Sequence, residues 1–157
     1  MQLPTIRRFQ DEDALATATL FHRSVHELTQ DHYDQAQRDA WAPQIPEKAA
    51  WLNRLKPQSV FVAEQESGIV GFMTLTQDGY LDLAFVAPGA SRQGVGAMLY
   101  EAINAEATVL GLKRMHAEAS HLARPFFERQ GWAVLKEQTV HRNGVALMNF
   151  AMEKRLD

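Results

Sequence analysis

The sequence predicts one α/β domain of the mixed α+β kind, with about seven mostly antiparallel strands in a central sheet flanked by helices. Three observations carry this. Apolar residues recur at helical spacing up to the stretch before Ser59, where the pattern switches to β-rich runs. Leu81 to Leu99 reads as an apolar strand, a loop bearing Pro88 and Gly89, and a glycine pair, Gly94 and Gly96, that opens a helix. After Gly131-Trp132 the β-rich pattern returns.

Taken in order, Leu3 to Phe9 reads as a short first strand, and Asp11-Glu12-Asp13 supplies a cap and acidic first turn for the helix that follows. Ala14, Ala18, Phe21, Val25 and Leu28 form its apolar stripe. His22 and His26 lie beside that stripe, four residues apart, with no third ligand to make a metal site. Asp31 to Ala42 reads as a second helix stopped before Pro43, and Pro46 as a first-turn residue of a third helix carrying Trp51, Leu52 and Leu55. Val60 to Ala63 and Ile69 to Leu75 are strands joined by a hairpin turn at Glu66-Ser67-Gly68, and Gln77-Asp78-Gly79 turns into a third, Tyr80 to Ala87. A long helix from about Gly94 to Leu110 buries Val95, Leu99, Ala102, Ile103 and Ala107 and ends at the glycine cap Gly111. Lys113 to Ala119 is a fifth strand; Ser120 caps a helix from His121 to Gln130 in which Pro125 disturbs the first turn. Ala133 to Val140 and Val145 to Met152 close the chain as a hairpin through Arg142-Asn143-Gly144. No repeat or linker divides residues 1–157, so a single domain is expected.

Bulk composition narrows the function classes. At 157 residues, 46% of them hydrophobic, one domain can bury a sizeable core. Zero cysteines excludes disulfides, thiolate zinc sites and a cysteine nucleophile. A net charge of −3 argues against a nucleic-acid partner, which needs a basic footprint. With no membrane-length apolar run and no apolar signal core at the N-terminus, a cytoplasmic location without a membrane partner is expected.

The glycine pair is the richest signal. A helix opening there leaves backbone N–H groups unpaired at a positive dipole end, and the absence of Cβ atoms at Gly94 and Gly96 lets an anion reach the main chain. A phosphate-bearing cofactor is the natural ligand. A dinucleotide fingerprint would need glycine at Leu99, and a triphosphate loop would need Gly-Lys-Ser/Thr, which is absent. Ser91-Arg92-Gln93-Gly94-Val95-Gly96, preceded by Val86-Ala87-Pro88, resembles the acyl-CoA motif of the GNAT superfamily of N-acetyltransferases. In that motif Gln/Arg-x-x-Gly-x-Gly/Ala follows a strand ending in a Val-x-Pro-like run. Ser91 departs from the usual Gln/Arg, while Arg92 beside it offers a cation. Ala119 to Trp132, with Ser120, Ala123, the pair Phe126-Phe127 and Gly131-Trp132, resembles the later GNAT motif, and Arg142 to Lys154 the family's C-terminal hairpin.

The resemblance implies a GNAT fold whose central and fifth strands splay apart into an acyl-CoA cleft. It implies acetyl-CoA as cofactor, with Phe85 and Val86 along the pantetheine arm. Ser91, Arg92, Gln93, Gly94, Val95, Gly96 and Ala97 would hold the diphosphate, and Ser120 and Phe127 would flank the thiol end. The implied reaction is direct attack of a primary amine, of a small molecule or a peptide, on the thioester through a tetrahedral oxyanion. A backbone N–H near Val86 would be the oxyanion donor. A lysine-like amine is neutral in only about one molecule in 2,500 at pH 7, so a base is useful. Asp82, Glu118 and His116, all on strands near the cleft, are the candidates, with Asp82 expected on the face opposite Leu81 and Leu83. Many relatives carry a tyrosine where Phe127 stands, to protonate the departing sulfur; here solvent, Tyr80 or Tyr100 would have to serve. His26, Tyr33, Trp41 and Tyr80 are candidate acceptor contacts. The alternatives are a non-catalytic acyl-CoA-binding module, which Phe127 favours, and a protein-interaction face on the aromatic helical region. Homodimers are common in the family, and nothing in this sequence specifies one.

Overall fold

The computed structural model describes residues 3–90 and 93–156. Among these, seven strands form two sheets. The first holds β1 (Thr5–Arg8), β2 (Ser59–Gln65), β3 (Gly68–Leu75) and β4 (Leu81–Val86) in that order, every pair antiparallel. The second holds β5 (Arg114–Ala119), β7 (Val145–Arg155) and β6 (Ala133–Arg142), again antiparallel, with β7 in the middle. The sheets meet at one parallel bridge, Tyr80 to His116, where the His116 N–H donates to Gly79 O at 2.9 Å. Past that joint β4 and β5 diverge.

Helices cover both faces. α1 (Ala14–Leu28) and α3 (Lys48–Leu55) lie on one side, where Phe21, Val25, Trp51, Leu55, Val62 and Phe72 form a core. The indole N–H of buried Trp51 donates to Thr17 Oγ1 at 2.9 Å, so this polar atom keeps its partner. α4 (Val95–Val109) covers the other side, and its Val95, Leu99, Ile103 and Ala107 pack with residues of both sheets, including Met73, Met115, Ala117 and Met152. α4 thereby ties together two sheets that share a single backbone bridge. The short α2 (Gln35–Trp41) and α5 (Arg124–Arg129) close the ends.

Several local expectations shift. The helix expected over residues 31–42 starts only at Gln35, because Asp34 and Gln37 form a reciprocal capping box there. Pro46 lies outside α3, whose cap is Glu47. The helix expected from His121 begins at Arg124. The turn before it is closed by the Ser120 hydroxyl accepting from the Ala123 N–H at 3.1 Å, and Pro125 takes a first-turn position where it needs no N–H. Leu81 and Leu83 do not share a face. A register shift between Met73 and Leu75 sends Leu81 into the core under α4 and Leu83 into the core under α1 and α3. Glu106, on the buried face of α4, is 7% exposed and held by Arg8 at 3.0 and 3.1 Å and by the Ser59 hydroxyl at 2.5 Å.

Two predictions follow from these contacts. Gly79 has φ +102°, and a Cβ there would stand 2.5 Å from the Arg114 carbonyl oxygen, so Gly79→Ala opposes the joint through both strain and clash. A loss of at least about 2 kcal/mol is expected, read as a lower urea midpoint. The Arg8 and Ser59 bonds hold Glu106 below its ordinary value of 4.5, against burial that pushes it up. A depressed folded value means its contribution is complete above that range and is lost as pH falls through the folded value. Glu106→Gln should therefore be less stable than wild type at neutral pH and show a shallower stability loss on acidification below the ordinary glutamate range, both measured by urea unfolding.

Candidate active site

The divergence of β4 and β5 opens a cleft of about 710 Å³. At one end stands the N-terminus of α4. Gly94 caps it in the left-handed region at φ +81°, with no side-chain cap, and a Cβ there would meet nothing within 4 Å. The first helical bond runs from Met98 N–H to Gly94 O at 3.1 Å, so the N–H groups of Val95, Gly96 and Ala97 have no acceptor within the helix. Gly94, Val95, Gly96 and Ala97 all line the cleft. Val95 is buried and anchors the turn, while Gly96 lies close over the Phe126 ring, to which a Cβ would come within 3.3 Å. Gln93 is not among the lining residues; its side chain donates to Gly89 O at 3.2 Å. Ser91 and Arg92 lie outside the described residues.

The middle of the cleft is apolar. Phe85 packs among Phe21, Phe72 and Trp41, and Phe127, 2% exposed, packs on Trp132 at 4.7 Å. On β4 the Ala87 N–H donates to Val70 O and the Leu83 N–H to Thr74 Oγ1. The two-residue alternation of a strand therefore turns the amides of Ala84 and Val86 toward the cleft. Ser24 on α1 donates to Val86 O at 3.3 Å, a contact between segments that no local pattern reveals. Ser120 lines the wall opposite.

The other end is polar. The Glu118 carboxylate accepts from the Tyr80 hydroxyl at 3.2 Å and from Gln138 Nε2 at 2.9 Å, and Gln138 Nε2 also reaches Asn149 Oδ1 at 2.9 Å. Burial, then the charge of Glu118, pushes the Tyr80 hydroxyl up to about 12, so it stays protonated as a donor. Asp82 takes both its oxygens to Arg54 at 3.0 Å and accepts from Gln58 at 2.9 Å. Burial raises the Asp82 carboxyl, but the bonds and charge of Arg54 outweigh it and hold the group below its usual value. The His116 ring lies tilted against Tyr80 at 5.1 Å and is not among the lining residues. Tyr33 and Trp41 line the cleft with ring surface, the Tyr33 hydroxyl being engaged with Met148 O at 2.7 Å and the His121 N–H at 3.1 Å. His26 is not brought in; its Nε2 lies 2.7 Å from Ala42 O. Nor is Tyr100, whose hydroxyl accepts from the Trp132 indole at 2.9 Å. Arg54, Arg142 and Asn149 line this end and carried no signal in the sequence, since only the tertiary fold brings them to it.

The family model described as an acetyltransferase (GNAT) domain matches residues 29–155. The uncharacterized N-acetyltransferase YafP of Escherichia coli is 35% identical over 147 residues, covering 94% of this chain and 93% of that protein. The chain belongs to the GNAT acetyltransferase family. The crystal structure of a GCN5-related N-acetyltransferase from Rhodopseudomonas palustris superposes with a TM-score of 0.93 at 33% identity, over 99% of this chain and 98% of that one. An N-acetyltransferase of Thermoplasma acidophilum, solved with coenzyme A, shares the fold at a TM-score of 0.81 and 17% identity, over 99% of this chain and 100% of that one.

As a GNAT acetyltransferase the protein uses acetyl-CoA, and the cleft fits that donor. Unpaired amides at a helix N-terminus suit a diphosphate, and the cleft-facing amides of β4 suit an extended amide-bearing arm. Gly94→Val would set a branched side chain in the open space at this mouth, in a backbone region that β-branched residues avoid. Coenzyme A affinity should fall at least about tenfold by calorimetry.

Proposed function

We propose that this acetyltransferase moves the acetyl group of acetyl-CoA directly to a primary amine of a small molecule or peptide, with Glu118 as the general base. The bound donor supplies an activated acetyl thioester. The chain's own groups supply the rest. The amides of Val95, Gly96 and Ala97 hold the diphosphate, joined by Ser91, Arg92 and Gln93 of the preceding loop, and Phe85 and Val86 flank the arm. The Val86 N–H stabilises the developing oxyanion in an apolar setting where such a bond is worth most.

Of the three candidate bases, Glu118 is the one whose carboxylate lines the cleft with no cation bound to it among the described residues, and this observation carries the assignment. Asp82 is committed to Arg54 and stays ionised, a poor acceptor for an amine proton. His116 packs its ring on Tyr80 and does not line the cleft. Glu118 takes the amine proton directly or through one water, and the Tyr80 and Gln138 bonds fix its orientation. Phe127 offers no proton to the leaving sulfur, so solvent receives that role; a thiol of pKa about 8.5 leaves as thiolate at a cost of about 2 kcal/mol at pH 7.

Because the chain has no cysteine, a thiol reagent reads released coenzyme A without protein background. Glu118→Gln keeps the Tyr80 bond and removes the base. It should lower kcat/KM for an amine about 10²- to 10⁴-fold while leaving coenzyme A affinity unchanged. Unchanged turnover in this variant, alongside a large loss in Asp82→Asn, would move the base to Asp82.

A further inference from the structure

Within the polar end of the cleft the charges do not all pair with each other. Arg54 and Asp82 satisfy one another. Glu118 is bound by the neutral groups of Tyr80 and Gln138. Arg142 lines the same cleft from β6 and, among the described residues, has no carboxylate within ion-pair distance; its guanidinium bonds only to the neighbouring His141 O, at 3.5 Å. Gln138, Val140 and Arg142 lie on one face of β6, since strand side chains alternate. Arg142 is therefore four residues, about 13 Å along the strand, from the Gln138 that holds Glu118. Its charge favours the ionised forms of both Asp82 and Tyr80, and all three residues line the cleft. Tyr33 and Trp41 line the cleft with aromatic rings.

A carboxylate on β5 and a guanidinium on β6, two strands of one sheet, thus line the same cleft without touching each other. A purely cationic acceptor would meet Arg142 as a repulsive charge, and a neutral amine would leave it unused. We infer that the acceptor is an amino carboxylate, with its amine directed to Glu118 and its own carboxylate bound by Arg142. This rests on the proposed acetyl transfer and names its substrate class. Arginine suits the task because its planar fork matches a carboxylate in two parallel bonds.

The test pairs each acceptor with a version lacking the anion: free phenylalanine, leucine and methionine against their amides and decarboxylated amines. Coenzyme A binding is measured in parallel by calorimetry. The free amino acids should exceed their partners in kcat/KM by about tenfold to a hundredfold, the range for a charge-assisted bond. Arg142→Gln should erase that ratio by raising KM for the carboxylates alone, and Arg142→Lys should restore part of it. Coenzyme A affinity should stay at the wild-type value in both variants, which also reports that they fold. Equal rates for acids and amides, turnover of uncharged amines only, or a variant that slows every acceptor alike would overturn the inference. Absence of coenzyme A binding in the wild-type protein would instead remove the acetyl-transfer reading beneath it, and the inference with it.

Discussion

The architecture turns on the joint where Gly79 and Tyr80 meet His116. Among the described residues a single parallel bridge joins the two antiparallel sheets, and the cleft opens beyond it. Had β4 and β5 stayed paired to their ends, the amides of Ala84 and Val86 would be taken up in a ladder. Divergence after one bridge leaves them facing open space, which is energetically tolerable only because water or a ligand can satisfy them. α4 makes the divergence possible. Its Leu99, Ile103 and Ala107 bury residues of both sheets, so the packing that a continuous ladder would have given is replaced by a shared helix. The same helix then presents its N-terminus at the mouth of the gap it spans.

The two ends of the cleft obey different electrostatics. At the glycine end the attraction for anions comes from backbone amides and the helix dipole, which hold a fixed geometry and do not titrate. This matters in a chain of net charge −3, whose overall field gives an anion no help. At the polar end the charges are carried by side chains, and the fold separates those with a structural partner from those without. Arg54 neutralises Asp82, removing one carboxylate from play, while Glu118 keeps its charge beside groups that only donate hydrogen bonds.

What the sequence disclosed follows from how local each signal is. The left-handed cap at Gly94, the turn at Gly79 and the stop at Gly111 are dictated by backbone conformation, and their glycines mark them directly. The alternation on β5 holds His116 and Glu118 on one face, because Met115, Ala117 and Ala119 claim the other. Where a bulge intervened the same reasoning failed: the shift opposite Thr74 separated Leu81 from Leu83, and period-two counting cannot see a register change in a partner strand. Ser24, Arg54 and Arg142 were illegible for a different reason. Each comes from an element remote in sequence from the residues it meets, and each reads locally as an ordinary polar surface position.

Phe127 gives this site its chemical asymmetry. In the proposed site the position of Phe127, where the family resemblance implies a phenol, holds a buried phenyl ring on Trp132, and the nearby Tyr100 hydroxyl is held by that same tryptophan. The two proton transfers are not equally demanding, however. Expelling a thiolate of pKa about 8.5 at pH 7 costs about 2 kcal/mol, whereas freeing a lysine-like amine of pKa about 10.4 costs about 4.6 kcal/mol. The larger barrier is on the amine side, where the cleft retains its uncompensated carboxylate. With Glu118 as the proposed base, a site without a phenol at Phe127 forgoes the cheaper of the two assists. On these energetics the proposed transfer needs its proton acceptor more than its proton donor, which is the assist the buried Phe127 ring leaves out.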